Sequence, residues 1–266
     1  MKKLRLDQLV FDLGLAESRE RAKTTVMSGL VYVNGQKADK PGMPVDPAAK
    51  IEVRGEALPF VSRGGFKLDK ALKVFPVDPA GKVCIDCGAS TGGFTDVLLQ
   101  HGAKKVYAVD VGYGQLAWKL RTDERVVNLE RTNLRYITRE QIPEELDLAV
   151  MDVSFISVRL VLPAVRQLLK PGADYICLIK PQFEAGKGLV GKHGVVREES
   201  THTDVLSEVE AFVDSISWRV SGFTYSPIKG PAGNIEFLAH IVAGEGPRLD
   251  RDFMRSLVRE AHEALK

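Results

Sequence analysis

What this sequence lacks narrows its class first. Three cysteines in 266 residues are too few for the disulfide framework of a small secreted domain. The five histidines, at 101, 193, 202, 240 and 262, stand singly, so the paired ligand spacing of a zinc site is missing and no metal is expected. Cys84 and Cys87 have C-x-x-C spacing but lie in an apolar run around Asp86, not at a helix start. Their odd separation on a strand turns them to opposite faces and predicts two buried structural thiols. No run of 18 apolar residues exists, which argues against a membrane-spanning helix. Met1-Lys2-Lys3 could open a signal segment, yet Asp7, Asp12 and Glu17 interrupt the apolar residues next in the chain and no small-residue cleavage site appears. A cytosolic location is expected.

What is present suits a globular chain with room for one large core and a small extra domain: 44% of residues are hydrophobic and the net charge is +2. That small net charge hides an asymmetry. Residues 1–70 hold 13 Lys and Arg against 9 Asp and Glu, leaving 24 against 26 for the rest. Either a basic attachment module or a merely solvated surface accounts for it.

The most informative stretch is Val83 to Phe94, V-C-I-D-C-G-A-S-T-G-G-F. An apolar run ending in an acid, then glycines at 88, 92 and 93, then a helical pattern predicts a strand, a tight turn and a helix. The spacing is not G-x-G-x-x-G, because Ala89, Ser90 and Thr91 fill the first gap, so a pyrophosphate is not implied. A second strand ends at Asp110, 22 residues after Gly88, near the spacing at which an acid meets a ribose diol. A nucleoside cofactor without a pyrophosphate fits both facts, and S-adenosylmethionine is the candidate.

At the start of the chain, Leu6, Leu9, Val10 and Leu13 have helical spacing up to Gly14, and Ser18 caps a second helix with Ala22 and Val26 inside. Asn34-Gly35 between extended residues predicts a hairpin, and residues 50–54 a further strand. This order, and S-R-E-R-A-K-T-T-V-M-S-G-L-V-Y-V-N-G in particular, resembles an S4 domain. The resemblance implies that the second helix and the hairpin face structured RNA, with Arg19, Arg21, Lys23 and Lys37 on phosphates. A solvated helix face is the alternative. A linker over 55–62 then separates an expected domain of residues 1–60 from one of 61–266.

In the second domain, Leu68, Leu72 and Phe75 place a helix after Ser62, with Lys67 near its start. Strands are expected near 83–86, 105–110, 125–129, 147–152, 174–180, 217–224 and 236–243, with helices between most of them and a final helix from about Asp250. The expectation is a parallel α/β sheet of Rossmann type with a late hairpin. Ligands in such sheets bind beyond the carboxyl ends of the strands, where strand order reverses. Asp86, Asp110, Asp152 and Lys180 all fall at such ends. Lys180 closes an apolar strand, where burial and a second cation would lower its pKa and suit it as a base. A structural ion pair with Asp152 is the competing reading. After Lys180, A-G-K-G-L-V-G-K-H-G-V-V-R, with Lys187 and Lys192, reads as a mobile basic loop, either an RNA clamp or an excursion without a role.

The motifs S-R-G-G-F-K-L-D, D-C-G-A-S-T-G-G-F, D-V-S-F, L-I-K-P and N-I-E-F together resemble the FtsJ-type Rossmann methyltransferases. With an S4 domain in front, the whole chain is similar to the TlyA family of ribosomal RNA 2′-O-methyltransferases, which modify cytidine in one or both subunits and some of which have been called haemolysins. The resemblance implies a catalytic tetrad at Lys67, Asp152, Lys180 and Glu236, and rRNA or ribosomal subunits as partner, with no obligate protein partner. It also implies a cofactor cradle of Asp86, Gly88, Ala89, Ser90, Gly92, Gly93 and Phe94, with Asp110 and Val111 at the ribose and Asn133 near the adenine. Lys187 and Lys192 join the RNA contacts. Base methylation fits poorly, because Asp152-Val153-Ser154-Phe155 replaces the Asn/Asp-Pro-Pro-aromatic turn of amine methyltransferases. A non-catalytic assembly factor and a membrane-active protein are the other classes; no long amphipathic apolar face favours the latter.

Overall fold

The computed structural model describes residues 3–55 and 58–266; Glu56 and Ala57, in the expected linker, lie outside the described residues. The N-terminal unit comprises β1 (Leu4–Arg5), α1 (Leu6–Asp12), α2 (Arg19–Met27), β2 (Val31–Val33), β3 (Gln36–Ala38), β4 (Pro44–Val45) and β5 (Ile51–Val53). Ser18 caps α2 by accepting from the Arg21 backbone N–H at 3.1 Å. Asn34 and Gly35 both have positive φ, 50° and 80°, which the two-residue β2–β3 hairpin turn requires. Leu6, Leu9, Val10, Ala22, Val26, Val31, Ala38 and Val45 form a separate core. Leu13 is an exception to the periodicity: α1 stops at Asp12 and leaves it 54% exposed. The small β1–β4 ladder was not legible in two-residue strands.

The larger unit contains α3 (Gly65–Val74), β6 (Val83–Cys87), α4 (Gly93–Gln100), β7 (Lys105–Val109), α5 (Trp118–Arg121), β8 (Val126–Leu129), β9 (Leu146–Met151), α6 (Leu162–Arg166), β10 (Leu169–Ile179), α7 (Pro181–Glu184), α8 (Glu199–Ser215), β11 (Trp218–Tyr225), β12 (Phe237–Ala243) and α9 (Arg251–Ala264). Seven strands lie in the order β11-β12-β10-β9-β6-β7-β8. The five from β10 to β8 are parallel, and β12 runs antiparallel between β10 and β11. This is the expected Rossmann-like sheet. Strand β10 starts five residues before the expected boundary, because Pro171 and Gly172 sit at a register shift instead of ending the strand.

Alternate residues of the central strands feed two hydrophobic layers. Ile85, Ala149, Met151 and Cys177 pack towards α8 and α9, while Cys84, Leu148, Val150 and Ile176 pack towards α3 and α4. Cys84 and Cys87 thus face opposite layers, as the odd spacing requires. All three thiols are buried and free, and burial pushes Cys84 up to about 12 and the other two well above the ordinary value. Native protein should therefore leave a disulfide reagent such as dithiobis(nitrobenzoate) unreacted, and all three thiols should titrate after urea is added. Rapid labelling of one thiol in the native state would contradict this packing. No helix among the described residues is long and apolar enough to cross a membrane.

Strand order reverses between β6 and β9: the chain leaves β6 outward through β7 and β8, then returns through β9 to β10. The loops following these two strands meet there, with the Asp152 backbone N–H donating to the Cys87 carbonyl at 2.9 Å.

Candidate active site

The loop after β6 is held by its own chain before any ligand is considered. Gly88 has φ 87° and lies against the Asp152 carbonyl, so a Cβ there would strike backbone. Gly92, at φ 92°, sits under Leu116 and Leu120, which cover the loop. A cofactor cradle alone therefore does not account for these two glycines. A β-branched residue at Gly92 would also strain the backbone and collide with two leucines, so it cannot report on ligand binding alone.

Asp110 organises the next turn. Its Oδ2 accepts from the Ser90 N–H at 2.7 Å and its Oδ1 from the Gly112 N–H at 2.6 Å. Both oxygens retain a free lone pair, so accepting from a diol needs no rupture of the loop. Val111 is 69% exposed beside it, and exposed Asn133 caps a short turn by accepting from the Arg135 N–H. Asp86, Ala89 and Phe94 are buried. Asp86 lies beneath the loop, where one oxygen accepts from the Thr95 backbone and hydroxyl at 2.9 and 2.7 Å and the other has no hydrogen-bond partner among the described residues. Burial pushes its carboxyl up to about 7 despite the Thr95 bonds. A cradle of positive-φ glycines with an acid at its rim and an orphaned buried oxygen below fits a nucleoside bearing an ammonium group.

Beside this cradle, four ionisable side chains form one continuous chain. Lys67 enters from α3, Asp152 from the end of β9, Lys180 from the end of β10, and Glu236 from the residue before β12. Lys67 Nζ lies 2.6 Å from Glu236 Oε2 and 3.5 Å from Asp152 Oδ2, while Lys180 Nζ lies 2.5 Å from Asp152 Oδ1. Lys67, Lys180 and Glu236 are buried. Two cations facing two anions keep the cluster neutral, which burial requires. Burial alone would lower Lys67, but Asp152 and Glu236 outweigh it and hold its pKa above the ordinary lysine value. Burial would likewise raise Asp152, yet Lys67 and Lys180 hold it below the usual carboxylate range. Asp152 stands between the two ammonium groups, and Glu236 touches Lys67, not Lys180. The two acids thus serve the lysines unequally.

Three residues escaped the sequence reading. Ser154 Oγ accepts from Lys180 Nζ at 2.8 Å. Buried Glu184, four positions after Lys180, accepts from the Ser157 hydroxyl at 2.7 Å and the Val158 N–H at 2.8 Å, pinning the segment that follows Asp152. Asn234, two positions before Glu236, donates to the Gly194 carbonyl and accepts from the Val196 N–H, tying the basic loop to the active-site edge. Asn234 stands inside the N-I-E-F motif, and for Glu184 the spacing to Lys180 is the available hint.

A cleft of about 470 Å³ runs between the N-terminal unit and the body, lined in part by Lys23, Arg63, Lys67, Thr91 and Lys229. Arg19 and Lys23 are exposed on α2. Arg21, by contrast, donates to the Leu58 carbonyl at 2.7 Å, while Lys37 on β3 is exposed. Lys192 is exposed; the Lys187 side chain lies outside the described residues. Near the other end of the site, Phe155 is 91% exposed, with its ring centroid 5.3 Å from that of Phe183.

Comparison with known proteins agrees with this architecture. The FtsJ-like methyltransferase model matches residues 60–242 and the S4 domain model residues 4–51. YqxC of Bacillus subtilis, which bears an rRNA methyltransferase name, is 52% identical over 270 residues covering 100% of this chain and 96% of YqxC. The 16S/23S rRNA (cytidine-2′-O)-methyltransferase TlyA of Mycobacterium tuberculosis is 46% identical over 237 residues, 89% of this chain and 88% of TlyA. A solved structure from Streptococcus thermophilus, which bears a hemolysin name, matches with TM-score 0.79 and 48% identity across 99% of this chain and 97% of that one. The chain belongs to the FtsJ-like methyltransferase family and carries an S4 domain ahead of the methyltransferase body.

Proposed function

We propose that this chain methylates the ribose 2′-hydroxyl of cytidine in ribosomal RNA, using S-adenosylmethionine, with residues 1–60 attaching the RNA and 61–266 carrying out the transfer. The observation that carries the reading is the neutral, buried chain Glu236–Lys67–Asp152–Lys180 set beside a glycine cradle, with Lys180 at the end away from Glu236. The names of the relatives supply the substrate class.

S-adenosylmethionine, when bound, supplies an electrophilic methyl group. Gly88, Ser90, Gly92 and Gly93 would bed it, with Ala89 and Phe94 shaping the loop from behind and Asp86 below; Asp110 would take its diol, with Val111 and Asn133 flanking the base. Lys180, once it has released its own proton, would accept the 2′-hydroxyl proton as the oxygen bonds to the methyl carbon and the carbon–sulfur bond of the sulfonium breaks, leaving the neutral thioether. Asp152 holds that amine and stabilises the ammonium that results. Lys67, fixed by Glu236, keeps Asp152 ionised and presents a positive charge to the ribose. Holding the reactants in line accounts for a large part of the rate, up to roughly 7–11 kcal/mol in favourable cases. Mapping 2′-O-methyl sites on rRNA incubated with protein and cofactor tests the reading. RNA binding without transfer would overturn it in favour of an assembly factor.

The RNA contacts we propose are Arg19 and Lys23 on α2, exposed Lys37 on β3, and Lys187 and Lys192 of the basic loop; Arg21 is already engaged on the Leu58 carbonyl and contributes less. Reversing Arg19 and Lys23 to Glu should weaken RNA binding and flatten the logarithmic salt dependence by about one unit per lost phosphate contact. Cofactor affinity should not change. An unaltered salt slope in a filter-binding titration would remove α2 from the interface.

A further inference from the structure

Lys180 Nζ has two partners among the described residues, Asp152 Oδ1 at 2.5 Å and Ser154 Oγ at 2.8 Å. A neutral amine has two N–H bonds and one lone pair. If both hydrogens are directed to these two oxygens, the lone pair is left in the one remaining tetrahedral position. We infer that Ser154 is a positioning residue for the methyl transfer, fixing the Lys180 amine so that its lone pair, and not an N–H, meets the incoming hydroxyl. The inference rests on the reading of Lys180 as the proton acceptor.

Ser154 is itself held from both sides. Asp152 is anchored through its N–H on the Cys87 carbonyl, and Ser157 and Val158 are clamped by the buried Glu184 carboxylate. Between these anchors the chain turns sharply, with Phe155 at φ 65°. The serine is exposed, unlike the other members of the cluster, so packing does not explain its contact with Lys180. Without the hydroxyl, one N–H of the amine loses its acceptor, and rotation about the Cε–Nζ bond brings that hydrogen towards the substrate oxygen. The 2′-oxygen then accepts a hydrogen bond instead of surrendering its proton.

The test is single-turnover methylation of rRNA by full-length Ser154→Ala and Ser154→Thr at saturating S-adenosylmethionine and RNA, with each affinity measured separately. Ser154→Ala should bind both ligands as the wild type does and transfer methyl roughly 10- to 100-fold more slowly, the range for losing a hydrogen bond to a charged group, which the amine becomes as it takes the proton. Ser154→Thr keeps the hydroxyl and should recover most of the rate. In a Lys180→Ala background, Ser154→Ala should have no further effect, since its action runs through that amine. A wild-type rate in Ser154→Ala, equal losses in the alanine and threonine variants, or a loss carried by weaker binding would each overturn the inference. An active Lys180→Arg enzyme in the same assay would remove the base reading and this inference with it. An inactive one beside an unimpaired Ser154→Ala removes the serine alone.

Discussion

Lys180→Ala is expected to bind S-adenosylmethionine and RNA normally yet lose methyl transfer by roughly 10²–10⁴-fold, the contribution typical of general acid–base catalysis. Lys180→Arg should fail almost as badly. Guanidinium stays protonated throughout the accessible pH range and cannot take a proton, although it would keep the charge beside Asp152. The competing reading, in which Lys180 only neutralises Asp152, makes the opposite prediction for arginine. Single-turnover transfer separates them: substantial activity in Lys180→Arg would show that charge, not proton acceptance, is what the site needs there.

The second large effect concerns stability. Glu236 is buried 2.6 Å from Lys67, and removing it leaves a buried ammonium whose remaining carboxylate lies 3.5 Å away and is shared with Lys180. Glu236→Ala should cost about 3–5 kcal/mol of folding stability, the usual penalty for stripping one member from a buried ion pair. In a body of this size that lowers the melting temperature by roughly 10 °C. Replacing both partners, Lys67→Met with Glu236→Leu, should recover most of the stability, because no uncompensated charge remains, while methyl transfer stays lost. Urea unfolding of the single and double variants checks this. If Glu236→Ala unfolds within about 1 kcal/mol of the wild type, the net worth of an ordinary uncharged hydrogen bond, the ion pair contributes little to the fold.

The fold and the four charged residues were legible because they follow from period and position. A parallel strand buried on both faces reads as an apolar run, and the polar residue closing it must lie at the sheet's carboxyl edge. Asp110, Asp152 and Lys180 are each the residue after a strand, so their convergence needed only the sheet order. Ser154 and Glu184 were not legible in this way. Their contacts depend on a left-handed turn at Phe155 and on how two loops from neighbouring strands cross, and neither has a periodic signature. Gly88 illustrates the same gap. Its tight neighbour, the Asp152 carbonyl, is distant in sequence and becomes adjacent only when β6 and β9 pair. Arg21 looked like its neighbours on a basic helix, and only the path of the chain at Leu58 distinguishes it.

The Lys67–Glu236 bond joins residues 169 positions apart, and the strand that follows Glu236 is the last of the sheet yet lies inside it, between β10 and β11. Contacts of such separation form late, after the loops they close have been ordered. A ribosome making this protein releases the N-terminal unit first, then Lys67, the glycine loop, Asp152 and Lys180, and Glu236 last. Glu236, the nearer carboxylate of Lys67, arrives with the strand that docks between β10 and β11. The pair at the centre of the site is thus completed only by the strand the chain adds last to the sheet.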